Sequence, residues 1–201
     1  MREQPLTPLG FGWPNLVSVV RIVLAPVLVG LLLVEERTVS SVAAAVFVVG
    51  AATDGLDGYL ARRYRSTSRT GAWLDPLADK VFVAAPVLAL AAMGTFPAWA
   101  AAAIVGREVG VSLLRAYLGL RGLSMPASGP AKVKTTAQLL AVTLYILPLG
   151  EWARGLRLGA LAPAVALTLW TGLQYAARAR GDLSRAAGPT ARSAPGRGGR
   201  R

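Results

Sequence analysis

The chain has 201 residues, 54% of them hydrophobic and only 16% charged, with a mean hydropathy of +0.49, which excludes an ordinary soluble domain and points to an integral membrane protein. Lysine and arginine outnumber aspartate and glutamate by 22 to 10, but the basic residues sit in short loops and at the C-terminal end, which suits membrane orientation and anionic lipid and argues against nucleic acid. Cysteine and histidine are both absent, so disulfides, thiol redox chemistry and ordinary zinc sites are excluded.

Residues 1–14 hold Pro5, Pro8 and Pro14 with Phe11 and Trp13, and read as a short interfacial segment whose aromatics sit at headgroup level. The first apolar run, over 15–34, is long enough to stay as a span and does not read as a cleaved signal. Arg21 inside it is expected to face the bundle interior or to snorkel, because lipid is a poor neighbour for a guanidinium. After a polar turn at Glu35 to Thr38, the second span covers 40–61, and a basic, hydroxyl-rich loop over 62–70 leads to the third, 71–93. Pro76 lies early in that helix, where a missing donor costs least, while Pro86 deeper in it predicts a kink.

The fourth span, 98–118, carries Arg107, Glu108 and Arg115, which cannot all point at lipid. A Gly/Pro/Ser-rich loop over 120–130 follows. Lys132 and Lys134 open the fifth span, 133–149, with Gln138 one turn after Lys134, and the sixth covers 158–177. Each run approaches the roughly 20 residues needed to cross a hydrocarbon core of about 30 Å. From Arg178 onward arginines are set among Gly, Ala, Ser and Pro, and 179–201 is expected to be a disordered basic tail.

The expected fold is therefore an all-α, six-transmembrane-helix bundle over 15–178, preceded by the short N-terminal interfacial segment. Most positive charge falls in 62–80, in 115–134 and in the tail, whereas the opposite turns hold only Arg37, Arg154 and Arg157, offset by Glu35, Glu36 and Glu151. Both termini are thus expected on the cytoplasmic side of a bacterial-type inner membrane.

Four acids stand out in a chain with only 10. Asp54 and Asp57 are i, i+3 near the end of the second helix, and Asp75 and Asp79 are i, i+4 at the start of the third, so each pair shares a helical face. Gly58 and Ala61 continue the first face with almost no side chain, and Gly71 admits close approach of a ligand to the backbone. Two helices meeting here would aim four carboxylates into one pocket, a hard-oxygen set suited to Mg²⁺ or Mn²⁺. The competing reading, a solvated face paired with Arg62, Arg63, Arg65 and Arg69, does not account for the small residues or the apolar helices on both sides.

The pattern Asp54-x2-Asp57-Gly58-x2-Ala61-Arg62-x8-Gly71-x3-Asp75-x3-Asp79 resembles, without a departure, the signature of the CDP-alcohol phosphotransferase family. Pro14-Asn15 followed by Arg21 is similar to the opening of that family, in which the first helix borders the nucleotide pocket; Ser18 stands where threonine is more frequent, and keeps the hydroxyl. The resemblance implies transfer of a phosphatidyl group from CDP-diacylglycerol to an alcohol with release of CMP. It implies that Asp54, Asp57, Asp75 and Asp79 hold divalent metal, with two ions the expectation, and that Asp79 is the general base. It further implies that Asn15, Arg21, Gly58, Ala61, Arg62 and Gly71 form the CDP site, with diacyl chains left in the bilayer. Homodimers are frequent in the family, so a homodimer is among the implied partners.

A second constellation, Arg107, Arg115, Lys132, Lys134 and Gln138, lies at the same depth as the acids. Cations held there suit a phosphate on the acceptor, arginine through bidentate contacts and lysine as a point charge. The plainer uses are the positive-inside rule for Lys132 and pairing with Glu108 for Arg107. Segments 106–115 and 131–138 resemble the phosphatidylglycerophosphate synthase branch, which implies glycerol 3-phosphate as acceptor. Cardiolipin synthases and phosphatidylinositol phosphate synthases of the same family stay open as alternatives. A membrane transporter is the reading from another class, although the repeated halves usual for transporters are missing.

Overall fold

The computed structural model describes the backbone over residues 13–64, 71–123 and 131–187, and side chains over 17–53, 77–123 and 133–185. Every element among them is helical: α1 (Trp13–Leu32), α2 (Arg37–Tyr64), α3 (Gly71–Ala92), α4 (Ala98–Leu120), α5 (Ala131–Ile146), a 3₁₀ turn (Glu151–Ala153) and α6 (Arg154–Ala187). These bounds follow the predicted spans closely except at the C-terminal end. There α6 continues to Ala187, which corrects the expectation of disorder over 179–187. The residues involved are mostly Ala, Arg and Leu, strong helix formers, and the first proline beyond them is Pro189. The remainder of the basic tail, like the interfacial segment up to residue 12, lies outside the described residues. Helix α3 continues through Pro86.

Helix α1 packs most extensively on α3 and also on α2; α6 packs on α5 and α4; and α2, α3 and α4 close the bundle through α2–α5, α3–α4 and α3–α5 contacts. Small residues allow the approach, since Ala43, Ala44, Ala100, Ala101, Ala141 and Ala164 are all buried. At Gly50 a Cβ would run into the tip of the Phe82 ring, so glycine lets α2 pass close to it. Phe82 stacks on Phe47 with centroids 5.5 Å apart, and Phe96 meets Tyr145 edge-on at 4.7 Å. With Leu28, Leu90, Ile104, Val142 and Leu161 these rings form the apolar core, which occupies the end of the bundle where α3 turns into α4 and α5 into α6.

The turns at that end have local causes. Gly94, at φ +75°, ends α3 in the left-handed conformation that favours glycine. The backbone N–H groups of Thr95 and Phe96 then donate to the Leu90 carbonyl at 3.0 and 3.1 Å. Arg157 closes the end of α5: its Nε donates to the Leu144 carbonyl at 3.0 Å, and its Nη2 donates to the carbonyls of Leu147 and Leu149 at 2.9 and 3.1 Å. Arg37 Nη2 donates to the Pro148 carbonyl at 3.2 Å. Two of the three arginines assigned from sequence to the less basic side are thus tied to the backbone.

Large apolar side chains cover the exterior as well as the core, and several polar groups are buried. Val23, Val49, Leu113, Leu120, Trp170 and Leu173 are exposed, while Ser18, Arg21, Lys134, Gln138, Thr168 and Thr171 are buried. An exterior of this kind is stable against hydrocarbon, not against water, and the protein is membrane-associated. Among the described residues one helix, Glu151–Arg185, is long and apolar enough to cross a membrane by length and composition, with shorter apolar helices at Val17–Leu32, Arg37–Thr53 and Val133–Ile146. The charged residues of α3 and α4 interrupt their apolar runs, because those helices carry the site described next.

Candidate active site

Alternation of helix direction brings the N-terminal parts of α1, α3 and α5 to the same end as the C-terminal parts of α2 and α4. A cavity of about 290 Å³ opens there, with Arg21, Asp79, Lys80, Glu108, Arg115, Lys134, Thr135 and Gln138 among its lining residues. Its apolar floor includes Phe82, Ile104 and Leu139, so the polar groups stand directly above the core. A second, apolar groove of about 420 Å³ lies between α1 and α2, lined by Val17, Val20, Leu24, Val46 and Val49, and Arg21 borders both spaces.

Arg21 forms an ion pair with Asp79, Nη1 donating to Oδ1. The buried position expected for Arg21 is therefore observed, and the pair ties α1 to α3. On the other wall Glu108 accepts from Arg107 Nη1 at 3.1 Å and from Lys134 Nζ. Gln138 Nε2 donates to Thr168 Oγ1 at 2.7 Å. The Thr168 hydroxyl in turn donates to the Ala164 carbonyl at 2.6 Å, so the glutamine has a fixed orientation.

Arg115, Lys134 and Gln138 line the cavity, but Arg107 does not. Its Nη2 donates to Thr171 Oγ1 on α6 at 3.1 Å, its guanidinium lies 5.5 Å from the centre of the Tyr175 ring, and a Cβ on Gly172 would lie 3.2 Å from its Cγ. Arg107 is thus built into the α4–α6 contact. Arg115 approaches the same Tyr175 ring at 5.6 Å, so one buried aromatic faces two guanidiniums. The contribution of α6, through Thr168, Thr171 and Tyr175, was missed from sequence. The signal was present: these residues fall at i, i+3 and i+7, one helical face of an otherwise apolar segment.

The side chains of Asn15, Asp54, Asp57, Gly58, Ala61, Arg62, Gly71, Asp75 and Lys132 lie outside the described residues. Their backbones are helical: Asn15 in α1; Asp54, Asp57, Gly58, Ala61 and Arg62 late in α2; Gly71 and Asp75 at the start of α3; Lys132 at the start of α5. Among the described residues no three metal-ligating side chains cluster, Asp79 being the one member of the acid quartet included. The quartet fits a divalent metal by the chemistry of its donors, which are carboxylate oxygens only, at helical spacing on α2 and α3.

A family model described as CDP-alcohol phosphatidyltransferase matches residues 11–170, most of the chain and all the helical segments that line the cavity. The chain belongs to the CDP-alcohol phosphatidyltransferase family. It is 36% identical over 172 residues to a Mycobacterium tuberculosis protein named probable phosphatidylglycerophosphate synthase, covering 84% of this chain and 82% of that one. It is 38% identical over 180 residues to the CDP-diacylglycerol–glycerol-3-phosphate 3-phosphatidyltransferase of Salmonella choleraesuis, covering 86% and 97%. The Shigella flexneri protein of the same name is 37% identical over the same extents. As a CDP-alcohol phosphatidyltransferase the protein is a transferase of lipid metabolism, and the transporter reading falls away.

Proposed function

We propose that this protein transfers the phosphatidyl group of CDP-diacylglycerol to glycerol 3-phosphate, forming phosphatidylglycerophosphate and CMP. The observation that carries the acceptor assignment is the cavity in which Lys80, Arg115 and Lys134 stand beside Asp79: cations suited to a phosphomonoester lie next to a carboxylate suited to accept a proton. The names of the relatives support the same reaction.

Asp54, Asp57, Asp75 and Asp79 are the residues that would hold Mg²⁺ or Mn²⁺, in one or two ions; bound metal would neutralise the pyrophosphate charge and stabilise departing CMP. Asn15, Arg21, Gly58, Ala61, Arg62 and Gly71 bind the CDP moiety. The apolar groove between α1 and α2 offers an acyl chain a place beside Arg21. Arg115 and Lys134 grip the acceptor phosphate, with Lys132 and Gln138 assisting, while Arg107 packs behind them against α6. The free terminal hydroxyl of glycerol 3-phosphate attacks the phosphorus that carries diacylglycerol, its proton passes to the Asp79 carboxylate, and the bond from that phosphorus to the CMP oxygen breaks. Arg21 holds Asp79 in place for this transfer.

The bundle spans the membrane six times, with both termini and the cavity on the cytoplasmic side. This reading is supported by the apolar exterior and by the concentration of basic residues at the cavity end. The deciding assay supplies purified protein with CDP-diacylglycerol and Mg²⁺ and compares acceptors. Glycerol 3-phosphate should give CMP and phosphatidylglycerophosphate; faster formation of cardiolipin from phosphatidylglycerol, or of phosphatidylinositol phosphate from inositol 1-phosphate, would reassign the acceptor.

A further inference from the structure

The cavity wall carries one anion to which the proposed reaction gives no step. Glu108 lines the same space as Arg115 and Lys134. It accepts from Lys134, whose partner position is 26 residues away on a different helix, and from its neighbour Arg107 at 3.1 Å. The Lys134 side chain is only 6% exposed, against 23% for Glu108. A buried ammonium is costly unless a carboxylate meets it, and Glu108 supplies that carboxylate from α4. An ammonium has three protons to donate; one is committed to Glu108, which sets the direction of the others.

Glu108 and Lys134 thus form a pair on the wall of the cavity that Arg115 also lines, and without Glu108 the ammonium would lose the group that fixes its direction there.

We propose that Glu108 is a positioning residue of the acceptor site, which acts through Lys134 to place one ammonium against the acceptor phosphate. The inference rests on the acceptor reading given above. On chemical grounds it extends to any acceptor that carries a phosphomonoester and excludes neutral alcohols.

A double-mutant cycle on the purified full-length protein tests it, with CMP release as the readout and both substrates varied. Glu108→Gln keeps the side-chain volume and is expected to raise the KM for glycerol 3-phosphate by about fivefold, through the coupling typical of contacting residues. The KM for CDP-diacylglycerol should stay within about twofold, a split that general loss of structure would not give. In a Lys134→Met background the same substitution should change the KM for glycerol 3-phosphate by less than about twofold, because the residue it acts through is gone. Equal rises in both KM values, a loss confined to kcat, or effects that multiply in the double variant would overturn the proposal.

If Glu108→Gln alone does not fold, the double variant takes its place, since it removes the two charges as a pair. A folded double variant with the KM of Lys134→Met alone upholds the coupling; a misfolded one, or one with a different KM, refutes it. Wild-type protein that works on other alcohols and not on glycerol 3-phosphate overturns the acceptor reading and this inference with it. Wild-type activity on glycerol 3-phosphate without the coupling overturns the inference alone.

Discussion

Arg21 on α1 and Asp79 on α3, 58 positions apart, form an ion pair in which the arginine is 5% exposed and the aspartate 43%. The asymmetry suits a base: the buried partner anchors one carboxylate oxygen while the aspartate keeps access to the cavity. Removing the anchor should loosen Asp79 and weaken the CDP site together. Arg21→Met is expected to lower kcat/KM by about tenfold, the lower end of the range for hydrogen bonds to charged groups, because a half-exposed carboxylate is partly screened by water. Arg21→Lys should recover part of the loss. Unchanged kcat/KM in Arg21→Met, measured by CMP release, would show that the pair has no part in turnover.

Asp79 and Asp57 are assigned different work, and the difference is measurable. Asp79→Asn keeps the volume and the contact with Arg21 but cannot take a proton, so nucleotide-lipid binding should persist while CMP release falls by orders of magnitude. Asp57→Asn removes a metal ligand and should weaken both, with partial recovery as Mg²⁺ is raised. Equilibrium binding of CDP-diacylglycerol to the two variants separates the roles. Equal loss of binding in both would make metal binding the whole role of Asp79 and leave the base unassigned.

Arg115 and Lys134 line the cavity, whereas Arg107 turns to α6. Arg115→Ala and Lys134→Ala should therefore raise the KM for glycerol 3-phosphate by about tenfold or more, with little change for CDP-diacylglycerol. Arg107→Met should act mainly on stability, because it removes the guanidinium that bonds Thr171 and faces Tyr175 in the α4–α6 contact. A thermal melt beside the kinetics distinguishes the two classes. An Arg107 variant that melts normally but shows a selective tenfold rise in acceptor KM would return that residue to the phosphate clamp.

How far the site could be read from sequence depended on whether helical register was applied to each charge. For Arg21 its setting in an apolar run left the bundle interior and snorkelling both open, and the structure has the interior position. Grouping Arg107 with Arg115 ignored the register: at about 100° per residue, Glu108 and Arg115, seven apart, share a face, and Arg107 is turned roughly a quarter of a circle away. Ile104 and Glu108 at i, i+4 continue that face, and both line the cavity. The α6 residues were illegible for another reason. Thr168 and Thr171 bond to carbonyls of their own helix, so they look like ordinary span hydroxyls until Gln138 and Arg107 are placed against them. The end of α6 was misjudged because composition outweighed helix propensity.

Orientation is open to direct chemical labelling in a chain without cysteine. Thr38→Cys lies beyond the first span, at the less basic end, and should react with an impermeant maleimide in intact cells. Ser66→Cys, between α2 and α3, should react only after the membrane is opened. The opposite pattern would put the proposed site on the face away from cytosolic glycerol 3-phosphate.

Arg157 offers a test of stability without chemistry. It donates to three carbonyls, of Leu144, Leu147 and Leu149, and its guanidinium lies 5.7 Å from the centre of the Tyr145 ring. The last carbonyls of a helix have no partners within it, and here one side chain from α6 satisfies the end of α5 and the turn beyond. Arg157→Met keeps much of the stem but removes three half-buried hydrogen bonds, at a cost of about 1 kcal/mol each before water relieves the exposed acceptors, while the Leu147 carbonyl keeps the Leu149 N–H at 2.7 Å. The variant should unfold at a visibly lower temperature in detergent while both KM values stay close to wild type, because Arg157 and the cavity are at opposite ends of the bundle. A melt indistinguishable from wild type would mean that water or lipid headgroups serve those carbonyls equally well. A selective change in either KM would instead show that strain at this end is transmitted along α5 to Lys134 and Gln138.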